Sequence, residues 1–330
     1  MFFVNFTKSS SKCLYPERKI GDSMQIQVQK EDLIPIMRIQ TTVLKEMVNF
    51  MVDRGFIQLL PVITSKVTDP LGPDPGSSVV TIPKIRYYDE ELVLMQSMIL
   101  HKQVAVAKGL ERIFIMSPNV RLEDRRRRDT GKHLFEFTQM DFEIAGAEMK
   151  DVFSLVEDLI IHIIKAVKSE NKEELEELGR DIEIPHKPFP VYTTHELEEK
   201  YGKDWEIKAS ADHSEPFWAV CFKREFYDRE DPNMPGHFRN YDLIYPEGFG
   251  EALSGGEREW RYERILERIR RDGLDERFFS SYLELAKQGI LIPSAGAGIG
   301  VERLIRFLSG KKHVGDVQLF RRVPGEPVLL

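Results

Sequence analysis

The stretch RLEDRRRRDTGKHLFEFTQMDFE, residues 121–143, decides the fold, because a cationic turn separates two segments that have the composition of strands. Along the second segment apolar and polar residues alternate: Met140, Phe142 and Ile144 share one parity, and Gln139, Asp141 and Glu143 share the other. Alternate side chains of a strand point to opposite faces of a sheet. We therefore predict a hairpin with one core face and one polar face. Arg121 and Glu123 extend the polar face, which is costly to bury unless it binds a ligand.

The flanking segments predict helices around a sheet that is built from hairpins. Apolar residues recur at steps of three and four from residue 31 to residue 54, and GFIQLLP (55–61) predicts a strand at a sheet edge or subunit contact. Residues 241–245 and the residues from Glu251 onward predict a second hairpin. Further helices are predicted over residues 91–109, 151–178, 259–271 and 275–288, whereas residues 179–239 show no clear pattern. Because hairpin strands pair antiparallel, we predict an α+β fold with an antiparallel sheet flanked by helices.

A glycine-rich stretch near the C-terminus, SAGAGIGVERLIRFLSG (294–310), leads into a predicted helix. Glycines let backbone amides approach a ligand closely, and a helix N-terminus favours anions. Arg303 lies in the first turn of that helix. The alternative is that these glycines serve close packing alone. The stretch is not a dinucleotide-binding fingerprint, because no βαβ unit precedes it.

The composition is that of an ordinary globular protein. The 330 residues carry a formal net charge of −7, which disfavours extended binding of nucleic acid. Cys13 and Cys221 are too few for a disulfide framework or a four-cysteine zinc site, so a cytoplasmic location is expected. No stretch of about 20 apolar residues predicts a transmembrane helix. We expect a mobile tail over residues 1–23, since this stretch does not have the pattern of a signal peptide. We expect translation to start at Met24. A single domain is predicted over residues 24–330.

Two groups of side chains suit the chemistry of a nucleoside triphosphate. Arg121, the arginines of residues 125–128 and the ring of Phe137 would supply phosphate charge and base stacking. The alternative is a solvated basic turn. Asp242 and Glu251, opposed by the second hairpin and assisted by Ser254, could hold Mg²⁺ through hard oxygen ligands, or they could simply be solvated.

Together, these signals resemble class II aminoacyl-tRNA synthetases of the aspartyl and asparaginyl subgroup. The helix that ends in GFIQLLP resembles the first motif of this family, a dimer element. Residues 121–143 resemble the second motif, and GAGIGVERLIRFLSG resembles the third. The resemblance implies the family's antiparallel sheet flanked by helices, ATP and Mg²⁺ as substrate and cofactor, and a homodimer.

The resemblance also implies a role for each matching residue. Arg121 and Arg303 would be the catalytic arginines: Arg121 would bind the α-phosphate, and Arg303 would cover adenine and meet the γ-phosphate. The other ATP-binding residues would be Glu123 on the adenine side, Phe137 stacked on adenine, His133 at the pyrophosphate end, and Glu251. The Mg²⁺ ligands would be Asp242, Glu251 and Ser254. The residues around aspartate would be Lys102, Gln139, Asp141, Ser254 and Arg258, with Arg258 gripping one substrate carboxylate.

Several positions depart from the pattern of the family. Ile99 stands where aspartyl enzymes present a glutamine beside the substrate, and Glu257 stands where they commonly have glutamine. Asp141 stands where asparaginyl enzymes usually carry glutamate, which favours aspartate as substrate. Only 23 residues precede Met24, too few for the family's N-terminal anticodon-binding barrel, so tRNA is expected to be an unlikely partner.

A synthetase core without this barrel resembles the archaeal-type asparagine synthetases. The resemblance implies conversion of aspartate, ATP and ammonia to asparagine, AMP and pyrophosphate through a β-aspartyl-adenylate. No glutaminase motif surrounds either cysteine, so free ammonia is the expected nitrogen source. The residue that deprotonates ammonium is unassigned, and Glu123 and Glu257 are candidates by charge alone.

Two other functions stay open from the sequence. The chain could be a shortened aspartyl-tRNA synthetase paralogue that activates aspartate for transfer to tRNA or to a protein. It could also be a catalytically inactive regulatory or binding subunit. The second alternative is disfavoured because the activation residues are all present: Arg121, Glu123, Asp242, Glu251 and Arg303.

Overall fold

A computed structural model describes residues 30–71, 78–222 and 225–328. The predicted tail, residues 1–23, and Met24 lie outside the described residues. The strands, in chain order, are β1 (Ile57–Leu59), β2 (Thr64–Ser65), β3 (Val79–Thr81), β4 (Lys84–Tyr87), β5 (Glu90–Leu94), β6 (Arg112–Val120), β7 (Leu122–Glu123), β8 (Glu136–Ala145), β9 (Val191–Thr193), β10 (Phe217–Val220), β11 (Asn240–Tyr245), β12 (Gly250–Glu257) and β13 (Ser294–Gly300). The helices are α1 (Lys30–Asp53), α2 (Ile99–Ala107), α3 (Met149–Glu170), α4 (Lys172–Glu177), α5 (Thr194–Tyr201), α6 (Trp205–Asp212), α7 (Tyr262–Arg271), α8 (Ser280–Lys287) and α9 (Val301–Ser309).

An eight-stranded sheet in the order β1-β6-β8-β13-β12-β11-β10-β9 organises the fold. Both predicted hairpins are present, since β6 pairs antiparallel with β8 and β11 pairs antiparallel with β12. All neighbours from β6 to β10 are antiparallel, whereas the edge strands β1 and β9 pair in parallel. The predicted α+β class with helices around an antiparallel sheet is therefore confirmed, with a parallel pair added at each edge.

The predicted helix over residues 91–109 is wrong in its first half. Residues Glu90–Leu94 form strand β5, which pairs with β4 across a turn where Tyr88 has a φ of 51°, and the helix begins only at Ile99. A short apolar run cannot be assigned to helix or strand by periodicity alone, and cross-strand pairing decides here. Helices α7 and α8 also begin later than predicted. At α7, the backbone N–H of Glu259 bonds outside any helix, to the carbonyl oxygen of Tyr227. Strands β9 and β10 lie in the segment without a clear pattern.

One face of the sheet forms the main core, and the other carries polar side chains. Met140 and Phe142 of β8 are fully buried beneath helices α1 and α3, whose apolar residues belong to the same core. The alternate residues of β8, among them Gln139 and Asp141, face a cavity on the other side of the sheet, as the alternation predicts. In the described part of the chain, no helix combines the length and apolarity needed to cross a membrane.

Candidate active site

A cavity of about 650 Å³ lies on the polar face of the sheet. All twelve residues that the sequence assigned to a site line it: Lys102, Arg121, Glu123, His133, Phe137, Gln139, Asp141, Asp242, Glu251, Ser254, Arg258 and Arg303. They come from widely separated segments, so only the folded sheet brings them together. Their individual binding roles stay predictions.

The sheet arranges these residues in rows across neighbouring strands. Asp141 of β8 lies opposite Gly298 of β13, Gly298 lies opposite Ser254 of β12, and Ser254 lies opposite Asp242 of β11. The next row on the same face, two residues and about 7 Å further along the strands, runs through Glu143, Gly296, Gly256 and Asn240. One row therefore joins the predicted aspartate pocket to the predicted Mg²⁺ ligands.

The glycines of β13 leave room for the polar side chains of β8. A Cβ atom on Gly298 would lie 2.9 Å from Oδ1 of Asp141 and 2.9 Å from Nε2 of Gln139. Real Cβ atoms essentially never approach other atoms that closely, so a side chain here would displace both residues. The close-packing explanation of this glycine stretch is thus correct for β13, and the packing it permits shapes the cavity floor.

At one end of the cavity, an arginine covers an aromatic ring. The Cζ atom of Arg121 lies 5.0 Å from the ring centroid of Phe137, and its Nε donates to the carbonyl oxygen of Gln96 at 3.0 Å. Arg303 forms an ion pair of 2.9 Å with Glu251 and donates to the carbonyl oxygen of Lys132 at 3.2 Å. Both predicted catalytic arginines are therefore held in place by backbone carbonyl groups.

Two further predicted ATP-binding residues have identifiable partners. Glu123 accepts hydrogen bonds from the backbone N–H and the hydroxyl of Ser78, at 3.0 and 2.7 Å. His133 is buried, and its Nδ1 lies 2.6 Å from the hydroxyl of Thr130. Burial, together with the nearby cations Arg303 and Lys132, lowers the pKa of His133 to about 2. The neutral imidazole of His133 is therefore favoured in the absence of ligand.

An ion pair between Lys132 and Glu206, which the sequence did not predict, borders the same end. Lys132 follows the short 3₁₀ helix Arg125–Thr130, and Glu206 lies in α6. Glu206 also accepts from the backbone N–H of Glu251 at 3.1 Å. Because α6 lies in the segment without a clear pattern, no local signal placed Glu206 beside the cavity.

Lys102 and Asp141, both predicted to lie around aspartate, form a buried ion pair. The Nζ atom of Lys102 lies 2.9 Å from Oδ1 of Asp141 and 3.0 Å from the carbonyl oxygen of Ala297. Both residues are only 2% exposed. Oδ2 of Asp141 is buried and has no hydrogen-bond partner among the described residues. A buried acceptor without a partner is costly, so this oxygen fits a ligand that carries N–H groups.

Arg258, which is predicted to grip a substrate carboxylate, contacts two carboxylates and a backbone carbonyl in the absence of substrate. Its Nε donates to Glu143 at 3.0 Å, its Nη2 donates to the carbonyl oxygen of Gly296 at 2.9 Å, and its Nη1 donates to Asp228 at 3.3 Å. Burial acts to lower the pKa of Arg258, but the carboxylates of Glu143 and Asp228 outweigh it and raise that pKa. Most donors of the guanidinium are therefore engaged before any substrate carboxylate arrives. The sequence had placed Glu143 on the polar face but assigned it no role, and nothing in the sequence pointed to Asp228.

Glu257 does not line the cavity, which removes it as a candidate to deprotonate ammonium. Its carboxylate pairs with Arg239 at 3.1 Å and Arg229 at 3.4 Å, and accepts from the backbone N–H of Met149 at 3.0 Å. It lies at the end of β12, on the side turned away from the neighbouring Arg258, because successive residues of a strand face opposite sides.

The donor set at Asp242, Glu251 and Ser254 fits Mg²⁺. Carboxylate and hydroxyl oxygens are the hard ligands that this ion prefers, usually completed by water and by substrate phosphates. Among the described residues, no three histidine, cysteine or acidic side chains cluster closely enough to hold a metal alone. These three residues would therefore hold Mg²⁺ together with phosphate oxygens.

Glu302 of α9 carries a shifted carboxyl that predicts a pH dependence of stability. Both carboxylate oxygens accept from the backbone N–H of Thr138 at 3.0 Å, yet burial dominates and raises the pKa of Glu302 to about 7 from its ordinary 4.5. Because the folded state retains the proton longer than the unfolded state, stability present below pH 4.5 is lost as the pH rises to 7.

We expect the wild type to lose about 1 to 3 kcal/mol more unfolding free energy than Glu302→Gln between these two pH values. Urea denaturation of both proteins at each pH measures the difference. Parallel pH profiles would contradict the assignment.

Comparison with known proteins places this site in a family. The family model of class II tRNA synthetases (D, K and N) matches residues 21–324. The chain belongs to this family. The asparagine–tRNA ligase of Pyrococcus abyssi is 29% identical over 92% of this chain and 71% of its own length. The aspartate–tRNA(Asp/Asn) ligase of Methanococcus aeolicus is 28% identical over 91% of this chain and 69% of its own.

A solved structure of this family shares the fold. The crystal structure of asparaginyl-tRNA synthetase from Pyrococcus horikoshii, complexed with asparaginyl-adenylate, has a TM-score of 0.79 to this chain. It is 27% identical, and the match covers 90% of this chain and 70% of that one. Class II tRNA synthetases are ATP-dependent ligases that generally use Mg²⁺, so the expectation of an ATP-using ligase is confirmed at family level. The relatives named here are tRNA ligases, and none is named an asparagine synthetase. They give no support to the expectation that tRNA is an unlikely partner.

Proposed function

We propose that this chain is a ligase that uses ATP to activate aspartate as an acyl-adenylate. One observation carries the proposal. Along the cavity-facing side of β8, Phe137 beneath Arg121 and Asp141 beside Lys102 are four residues apart, about 13 Å along the strand. A nucleotide-binding pair and an amino-acid-binding pair therefore share one cavity and one rigid strand.

The proposed reaction needs positioning and neutralisation of charge more than covalent chemistry from the protein. A carboxylate oxygen of aspartate attacks the α-phosphorus of ATP, the bond between the α- and β-phosphates breaks, and pyrophosphate leaves. Arg121 would neutralise the α-phosphate, and Arg303 the γ-phosphate, in a cavity where such contacts are strong. Mg²⁺, held by Asp242, Glu251 and Ser254, would supply further positive charge to the phosphates.

The amino-acid end offers complementary groups for aspartate. The ammonium of Lys102 would attract a substrate carboxylate, and Oδ2 of Asp141 would accept from the substrate amino group. Asparagine has an uncharged amide in place of the second carboxylate, so it would interact less strongly with the ammonium of Lys102. Aspartate is thus the proposed substrate, and asparagine is its natural competitor in the assay.

Two acceptors are candidates for the activated acyl group. The names of the relatives favour tRNA, and transfer to tRNA requires activation of the α-carboxylate. Ammonia is the second candidate. Its nitrogen would attack a β-acyl carbon, the bond to AMP would break, a proton would leave, and asparagine would form.

The structure offers one observation in favour of ammonia. Ile99 is 4% exposed, lines the cavity, and precedes Lys102 by about one turn of α2. In aspartyl enzymes a glutamine at this position lies beside the substrate. An apolar side chain there cannot bond the amino group, which suggests a different orientation of aspartate.

We also propose that the chain forms a homodimer through the edge of the sheet at β1. Three apolar side chains in and after this strand are well exposed: Ile57, Leu60 and Ile63. Within the part of the chain that the structure describes, β1 pairs on one side only, and exposed apolar residues along such an edge suit pairing with a second copy. Sedimentation equilibrium tests this, and a monomer at working concentration would contradict it.

The experiment that tests the function supplies the purified chain with aspartate or asparagine, ATP and Mg²⁺, with or without ammonium and with or without tRNA. Aspartate-dependent release of pyrophosphate supports the proposal. Asparagine formed with equal AMP identifies ammonia as acceptor, and labelled aspartyl-tRNA identifies tRNA. No turnover with aspartate under any condition would refute the proposal and return the chain to a binding role.

A further inference from the structure

Helix α9 presents two arginines, about one turn apart, to the turn between β11 and β12. Arg303 pairs with the carboxylate of Glu251 at 2.9 Å and donates to the carbonyl oxygen of the same residue at 3.3 Å. Arg306 donates through Nη1 to the carbonyl oxygen of Phe249 at 3.1 Å. Side chains three residues apart lie on the same side of a helix. The helix therefore holds this turn at two points, Phe249 and Glu251.

Arg306 is a buried cation that lies behind the cavity and is not among the described residues that line it. It is 7% exposed, and its Nε donates to a second backbone carbonyl oxygen, that of Lys312, at 3.0 Å. Burial and the nearby Arg303 lower the pKa of Arg306 to about 10, which the carboxylate of Asp316 offsets only in part. An apolar side chain of similar length would fill this space at a lower desolvation cost. The arginine therefore suits a role beyond packing.

The turn needs contacts from outside, because its backbone has an unusual conformation. Glu247 has a φ of 60°, in the left-handed region that residues other than glycine rarely adopt. The ring of Phe249 lies near two guanidinium groups, with its centroid 5.1 Å from Cζ of Arg306 and 5.5 Å from Cζ of Arg180. Arg306 thus contacts both the carbonyl group and the ring of Phe249, which precedes Glu251 by two residues.

We propose that Arg306 is a positioning residue that acts through this turn to hold the carboxylate of Glu251 toward the phosphate end of the cavity. This inference rests on the proposed function, in which Glu251 is one of the Mg²⁺ ligands. Arg306 itself would contact neither ATP nor the metal. Replacement of a residue that orients a metal ligand typically weakens metal binding by about 10- to 100-fold. Loss of Arg306 should therefore affect the part of ATP binding that depends on the metal.

The variant Arg306→Met tests this role, since it removes both contacts with Phe249 and keeps a side chain of similar length. ATP is titrated calorimetrically into the protein without aspartate, once with saturating Mg²⁺ and once with EDTA. We expect the dissociation constant of ATP to rise about tenfold with Mg²⁺ and by less than about threefold with EDTA. A merely structural role would weaken ATP binding equally in both conditions, and that result would overturn the proposal.

A double variant shows whether Arg306 acts through Glu251. In Glu251→Gln, the addition of Arg306→Met should weaken binding with Mg²⁺ by less than about twofold further, because the carboxylate that it positions is already absent. Additive losses would contradict the proposal. Arg264→Met removes an arginine of α7 that is 53% exposed and pairs with Glu267, and it should bind ATP as the wild type does.

Two measurements keep the outcome decisive. If Arg306→Met does not fold, Arg306→Gln, an uncharged side chain that is less costly to bury, replaces it and is judged by the same difference between Mg²⁺ and EDTA. Aspartate-dependent release of pyrophosphate by the wild type is measured alongside. Its absence would refute the proposed function, and this inference with it, whereas its presence with equal losses in Mg²⁺ and EDTA would overturn the role of Arg306 alone.

Discussion

Arg121→Ala is expected to lower aspartate-dependent ATP–pyrophosphate exchange by about a thousandfold while the protein stays folded. Arg121 is half-buried, lies 5.0 Å over Phe137, and makes one hydrogen bond to a backbone carbonyl, that of Gln96. Its removal would leave the charge that develops on the α-phosphate without its nearest guanidinium. Because that interaction strengthens in the transition state, kcat should fall much more than KM rises.

Two further variants separate the position of Arg121 from its charge. Arg121→Lys keeps the charge but loses the planar fork, so partial activity is expected. Arg126→Ala removes a cation from the same segment whose side chain is 84% exposed and pairs with Asp124, and its exchange rate should stay within about twofold of the wild type. Exchange by Arg121→Ala at the wild-type rate would mean that the nucleotide binds elsewhere, whereas equal losses in both alanine variants would indicate a general effect of loop charge.

Arg258→Met is expected to lower the free energy of unfolding by about 3 to 5 kcal/mol. The guanidinium of Arg258 is buried between Glu143 and Asp228 and also bonds the carbonyl oxygen of Gly296. A methionine of similar length fills the space but removes this cation from beside two buried carboxylates, those of Glu143 and Asp228. Urea denaturation, with the slope checked for a constant change in exposed surface, measures the loss.

The double variant Glu143→Gln/Arg258→Met identifies the cause of that loss. Glu143→Gln removes one of the two carboxylates that face Arg258. The double variant should therefore recover part of the lost unfolding free energy and be more stable than Arg258→Met alone. Arg277→Met, which removes a cation that is 91% exposed and paired with Asp275, should change the unfolding free energy by less than about 1 kcal/mol. A double variant less stable than Arg258→Met would indicate that packing, and not charge, accounts for the loss.

The sequence predicts the strands and helices in which apolar residues recur at a regular spacing along the chain. The alternation along residues 136–145 predicted strand β8 and its two faces, and the two hairpins followed from turns between short strands. Residues Glu90–Leu94 were misassigned because three apolar residues in a row show no distinctive period, and pairing with β4 makes the segment a strand. Strands β9 and β10 were missed for the same reason, since each is at most four residues long.

Some residues of the candidate site could likewise be predicted from the sequence, and others could not. Motif residues such as Arg121, Phe137 and Arg303 were found because their spacing within short segments resembles a known pattern. Lys132 with Glu206, and Arg258 with Asp228, were not found as pairs. The partners are 74 and 30 residues apart in the chain, and no local pattern relates them.

The amino-acid sequence by itself determined the two hairpins and the two faces of β8. These follow from the alternation of apolar and polar residues along short segments, which depends only on neighbouring residues. Folding determined which charges neutralise one another, and above all that Glu143 and Asp228 engage Arg258 before a substrate can. A chain with 47 basic and 54 acidic residues allows a very large number of ion pairs. Burial selects among them, because only charges that lose water together must satisfy each other.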